Sequence, residues 1–144
     1  MRVSTVLAAP PGVVWSDVRN IASHVEWMDD AVQITFTSRS REGVGTEFDC
    51  LTRVGPFSLR DRMVITEWVD GKVMGIRHEG LVRGTGRFTL RRKGRGATRF
   101  TWTEKLEFPW RIGGPAAGLV GRPILRRVWR GNLRNLQARF GDPA

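Results

Sequence analysis

About six stretches of alternating apolar and polar residues, followed by one long Arg-studded amphipathic segment, limit this chain to few architectures. Period-two runs bury one face, and the terminal helix is the long apolar stripe available to cover it. A short strand ending in Ala8-Ala9-Pro10-Pro11 and a Trp-bearing helical stretch come first. The order predicts an α+β fold in which a curved antiparallel sheet closes over one helix and encloses a pocket. A pocket of that kind suits apolar small molecules.

The opening apolar run, Val3 to Ala9, is seven residues long and interrupted by Ser4 and Thr5, which fits a first strand better than a secretion signal. After Pro10-Pro11, residues Val14, Trp15, Val18 and Ile21 recur at helical spacing, and proline favours a helix start because its missing N–H would be unpaired there. Ser23 to Met28 predicts a second brief helical turn with Ser23 as its cap, before Val32, Ile34 and Phe36 begin the second strand. From Val44 the pattern puts Val44, Thr46, Phe48 and Cys50 on one face. Gly55-Pro56 turns the chain, and Phe57, Leu59, Asp61, Met63 and Ile65 share the next face. Asp70-Gly71 is the pair that two-residue hairpin turns prefer, after which Met74, Ile76 and His78 continue the apolar face.

The last hairpin sets Val82, Gly84, Gly86, Phe88 and Leu90 against Phe100, Trp102, Glu104, Leu106 and Phe108, reversing through Lys93 to Ala97. With Leu90 facing Phe100, Gly86 falls opposite Glu104. From Gly113-Gly114-Pro115 onward, Ala117, Val120, Ile124, Leu125, Val128, Trp129, Leu133, Leu136 and Phe140 form an apolar stripe. At ~100° per residue, Arg122, Arg126, Arg127, Arg130 and Arg134 gather opposite it. Pro123 must kink this helix or sit in the first turn of its main section.

With 144 residues, 40% of them hydrophobic, the chain suffices for one domain spanning 1–144 and is too short for two. The single cysteine, Cys50, excludes an internal disulfide framework and fits a reducing cytoplasm. No apolar run approaches the ~18 residues of a membrane span. The net charge of +10 comes from 21 Arg and 3 Lys against 14 acidic residues, which predicts a weak, salt-sensitive attraction to anionic membranes or nucleic acid. Oligomeric state is not legible.

Ala9-Pro10 with Val14-Trp15, Trp27 followed by Val32, Gly43 with Gly45, Gly94 to Thr98 with Trp102, and the terminal helix occur in an order that spans nearly the whole chain. On these residues the chain resembles the polyketide cyclase/dehydrase and START-like lipid-transfer superfamily (SRPBCC), which shares the helix-grip fold of the birch-pollen allergen. Asn20 departs from the pattern, standing where many relatives place Asp. The resemblance implies a seven-stranded antiparallel sheet wrapped around the C-terminal helix, with a cavity for a lipid, polyketide, quinone or similar ligand. A fold hosts many functions, so the site has to select the activity.

Glu104 is the most unusual residue, a carboxylate between Trp102 and Leu106 on an otherwise apolar face. Buried unpaired it would cost several kcal/mol, so it bonds or deprotonates a ligand, or pairs with an Arg at the sheet rim, and the ion pair is slightly favoured. His78 is a second candidate for proton transfer, although a lone His near a strand end is usually structural. Asp61 is a third, with Arg60 and Arg62 beside it favouring an ion pair or a register slip. Glu104 and His78 fall on strands separated by a third at ~4.8 Å per strand, so no direct contact between them is expected.

The expected ligand-binding wall comprises Phe48, Cys50, Leu59, Met63, Met74, Ile76, Phe88, Phe100, Trp102, Leu125, Val128 and Trp129, with Trp15 and Trp27 instead anchoring the early helical segment. No metal site is expected from two distant histidines, His24 and His78, and one cysteine, and no cofactor is implied. Gly84-Thr85-Gly86 and Gly94-Arg95-Gly96 lack the strand-to-helix context of a phosphate loop. The favoured reading is a carrier or sensor of a hydrophobic molecule. The alternatives are a metal-free cyclase/aromatase or dehydratase, and a basic protein that binds anionic surfaces.

Overall fold

The computed structural model describes residues 1–141. Seven strands, β1 (Arg2–Leu7), β2 (Ala31–Phe36), β3 (Glu47–Val54), β4 (Phe57–Val69), β5 (Val73–Glu79), β6 (Arg83–Lys93) and β7 (Ala97–Glu107), form one antiparallel sheet in the order β1-β7-β6-β5-β4-β3-β2. Helix α1 (Pro11–Val18) and a 3-10 segment (Ile21–Glu26) link β1 to β2, and the long helix α2 (Gly114–Ala138) ends the chain. This is the helix-grip architecture expected from the sequence. The last hairpin holds the expected register, with Leu90 opposite Phe100 and Gly86 opposite Glu104.

Several local expectations need correction. Ser23 is not a cap: it lies inside the 3-10 segment and its hydroxyl donates backward to the Asn20 carbonyl at 2.7 Å. A bulge between Ala31 and Gln33 gives β2 an extra residue, so Val32 turns outward and Ala31 is buried. Val44 is exposed because β3 starts only at Glu47. The β4–β5 turn has three residues, not two, since Val69 pairs with Val73 and the Lys72 N–H bonds the Val69 carbonyl at 2.9 Å. Gly71 takes the positive φ of 75° that such a loop requires. Asp70 does further work there: its Oδ1 accepts from both the Trp15 and Trp68 indoles, at 3.2 and 3.0 Å, tying α1 to the end of β4.

Helix α2 is continuous, with Pro123 inside it, where the Leu119 carbonyl loses the N–H it would otherwise accept. The five arginines of its outer ridge are all exposed. Its C-terminal half is clamped down. Trp129, Leu133 and Leu136 are buried, the Asn135 amide donates to the Trp27 carbonyl at 3.1 Å, and that of Gln137 donates to the Val6 carbonyl at 3.0 Å. Asn132 accepts from the Asp29 N–H at 2.9 Å and donates to the Asp30 carboxylate at 2.7 Å.

The N-terminal half behaves differently. Val120 and Ile124, expected on the packed stripe, are exposed, because among the strands α2 packs closely on β1 and β7 alone. The concave face of the middle strands is therefore left uncovered. Below the clamped half, Trp27, Phe88, Phe100 and Trp102 meet at ring distances of 5.1–6.3 Å, and Trp129 stacks on Trp102 at 5.0 Å.

Candidate functional site

The uncovered face is a cavity of about 690 Å³ between the sheet and α2, a size typical of small-molecule sites. Its walls are mostly apolar. The expected wall residues all line it except two: Phe100 is fully buried in the aromatic core behind Phe88 and Trp27, and Val128 packs against the core without reaching the hollow. Phe57, Leu81, Val120 and Ile124 line the cavity while remaining exposed, which marks its mouth between the β3–β4 hairpin end, the β5–β6 loop and the free half of α2.

Asp61 on β4, His78 on β5 and Glu104 on β7 meet on the cavity wall, each 8% exposed or less. His78 donates from Nδ1 to Asp61 Oδ2 at 2.7 Å and from Nε2 to Glu104 Oε2 at 2.9 Å. The Trp102 indole donates to Glu104 Oε1 at 3.0 Å. Three expectations fall with this geometry. Glu104 has no rim arginine as partner, Asp61 pairs with His78 without any register slip, and His78 does touch Glu104 across the intervening strand.

The missing side chains of β6 explain that last contact. His78 pairs with Gly84 and Ile76 with Gly86, while Gly86 also faces Glu104, so no Cβ stands between imidazole and carboxylate. A Cβ built on Gly86 would lie 2.5 Å from Glu104 Oε1 and 2.8 Å from its carboxyl carbon. Asp61 is turned inward because Arg60 and Arg62 alternate to the other face, where Arg62 bonds Asp49 at 3.2 Å. Gly86→Ala is accordingly expected to cost about 1–3 kcal/mol in urea unfolding, and to lower the His78 pKa in an NMR titration by pushing Glu104 off the ring. Wild-type stability and an unmoved His78 titration would contradict this role for Gly86.

Burial alone would lower the His78 pKa, but the hydrogen bonds and charges of Asp61 and Glu104 outweigh it and raise the value to about 9. His78 is thus an imidazolium at neutral pH, clamped between two carboxylates. It is not poised as a base. His24, also on the wall, goes the opposite way: burial lowers it to about 4, so it is neutral and gives its Nε2–H to the Val18 carbonyl at 2.7 Å. Burial raises the Cys50 thiol to about 11, which leaves it an inert small hydrophobe.

Asp30 completes the polar part of the wall, with its pKa raised by burial and held back by the Asn132 hydrogen bond. From the sequence Asp30 goes unremarked, and His24 is weighed only as a metal ligand. A usable signal existed for Asp30, since Asn132 interrupts the apolar stripe between Trp129 and Leu133, and a buried amide needs polar partners. Among the described residues, no group of three His, Cys, Asp or Glu is arranged to hold a metal ion, and no helix is long and apolar enough to cross a membrane.

A family model described as polyketide cyclase / dehydrase and lipid transport matches residues 1–141. Among solved structures, a START superfamily protein from Mycobacterium smegmatis is 12% identical with a TM-score of 0.78, the match covering 97% of this chain and 95% of that one. The Zhui aromatase/cyclase from Streptomyces sp. R1128 is 13% identical at TM-score 0.76, covering 96% and 91%. A protein from Thermus thermophilus is 19% identical at TM-score 0.71, covering 97% and 95%. No curated protein matches by sequence.

Proposed function

The chain belongs to the polyketide cyclase/dehydrase and lipid-transport family, and from that premise we propose that it binds a hydrophobic small molecule, a lipid, polyketide, quinone or similar compound, between the sheet and α2 as a carrier or sensor. The observation that carries this reading is a roomy apolar hollow with an exposed apolar mouth and polar groups gathered around His78. Burying ~300 Å² of ligand at ~25 cal/mol/Å² yields roughly 7 kcal/mol before association costs, which leaves room only for modest affinity unless polar contacts add to it.

The neutral dye N-phenyl-1-naphthylamine tests the reading. Its fluorescence should rise on binding, and Leu125→Trp, which fills part of the hollow from α2, should weaken binding about tenfold while leaving the fold intact by circular dichroism. No enhancement, or the same affinity in both proteins, would remove the proposal.

A second reading, a cyclase- or dehydratase-type enzyme, draws on the carboxylate–imidazolium–carboxylate cluster on the cavity wall. Glu104 would take a proton alpha to a carbonyl while the walls fold the substrate, and His78 would position Glu104. On that reading Glu104→Gln abolishes turnover of a polyketone and spares dye binding, whereas turnover equal to wild type eliminates it.

A further inference from the structure

We propose that the ligand's polar end is a hydrogen-bond donor, a primary amine ahead of an alcohol, and that carboxylates are excluded from the cavity; this rests on the cavity-binding reading above. The side-chain donors on and just behind the wall around His78 are already engaged. Both His78 N–H groups are spent on Asp61 and Glu104, the Trp102 indole N–H on Glu104, and the Asn132 amide on Asp30. His24 spends its one N–H on the Val18 carbonyl, so its other ring nitrogen is an acceptor. Arg87, the one arginine or lysine among the described wall residues, points its guanidinium outward to Glu67 at 2.9 Å.

What remains is acceptor capacity. Asp61 Oδ1 is buried with no partner at all, although Asp61 lines the cavity and is 4% exposed. Gly80 lets the chain close over that oxygen, for a Cβ there would collide with it. That seals Oδ1 from the hollow and adds an uncompensated acceptor to the cluster, so the acceptors a ligand N–H or O–H can meet are the remaining lone pairs of Asp61 Oδ2 and of the Glu104 carboxylate and the free ring nitrogen of His24. The one other buried side-chain polar atom without a partner among the described residues, Trp27 Nε1, sits in the core outside the cavity lining. The Thr52 and Ser58 hydroxyls lie nearer the hairpin end than the Cys50–Asp61 pair.

Charge points the same way. Asp61 and Glu104 flank one imidazolium, leaving a local net negative charge in a protein whose overall charge is +10. The exterior therefore attracts anionic amphiphiles while the interior repels them, and these opposite preferences make the inference testable.

The test is displacement of N-phenyl-1-naphthylamine by dodecylamine, dodecanol and dodecanoate, which share one chain length, below their micelle concentrations at about pH 7.5, where amine and carboxylate are both ionised. Dodecylamine should compete about tenfold or more better than dodecanoate, with dodecanol between them. Asp61→Asn and Glu104→Gln should each narrow the gap between amine and carboxylate. Dodecanoate competing as well as dodecylamine, or a gap unchanged in both variants, overturns the inference while leaving cavity binding in place. Failure of the cavity reading differs, since the dye itself then does not bind and all three compounds are silent, and the present inference falls with it.

Discussion

Replacing His78 with Leu is expected to cost about 3–5 kcal/mol of folding free energy, because it leaves the Asp61 and Glu104 carboxylates buried on one wall with no cation between them. Attraction within such a cluster roughly offsets the cost of stripping water from its charges, whereas removing one member leaves the remaining cost uncompensated. The companion variant, Asp61→Val/His78→Leu/Glu104→Met, removes all three charges and should recover most of that loss. It should also abolish the preference for dodecylamine. Urea unfolding of the two variants checks the claim. A single variant as stable as the wild type, or a triple variant less stable than the single one, would mean that His78 does not compensate the two buried carboxylates.

The second large effect is on pH. The folded-state pKa of His78 is raised to about 9 from an ordinary value of 6.5, so its contribution is fully present below 6.5 and disappears as pH climbs through 9. That contribution is on the order of 3 kcal/mol. His24 has the opposite sign: its folded pKa is depressed to about 4, so its contribution is complete above 6.5 and is lost as pH falls toward 4. Stability should therefore peak near neutrality and decline on both sides, with the alkaline limb assigned to His78 and the acid limb shared by His24. Thermal unfolding between about pH 5 and 10 should show the alkaline limb flattened in His78→Gln. An alkaline limb identical to the wild type would separate it from His78.

Much of this was legible beforehand, for physical reasons. Alternation along β6 and β7, with a turn from Lys93 to Ala97, leaves one register that buries both apolar faces, and it sets Gly86 opposite Glu104. The contact between His78 and Glu104 was not legible, because strand spacing measures backbones, and only the absence of Cβ atoms at Gly84 and Gly86 lets two long side chains meet over β6. Asp61 was misjudged by sequence adjacency. Arg60 and Arg62 are its neighbours along the chain but point to the opposite face.

Helical periodicity showed which side of α2 is apolar without showing how far along its length that side is covered, so Val120 and Ile124 were assigned to a packed interface and instead form the mouth of the hollow. The same limit applies to the wall. Phe100 and Val128 lie on the correct faces and still miss the cavity, because facing inward does not determine whether neighbouring aromatics cover a side chain.

The most direct measurement is a crystal structure grown with N-phenyl-1-naphthylamine. The account predicts the dye between the middle strands and the free half of α2, its rings against Trp102 and Trp129 and its N–H toward Asp61 or Glu104. A hollow closed by side chains, with the dye held only on the outer surface, would contradict it.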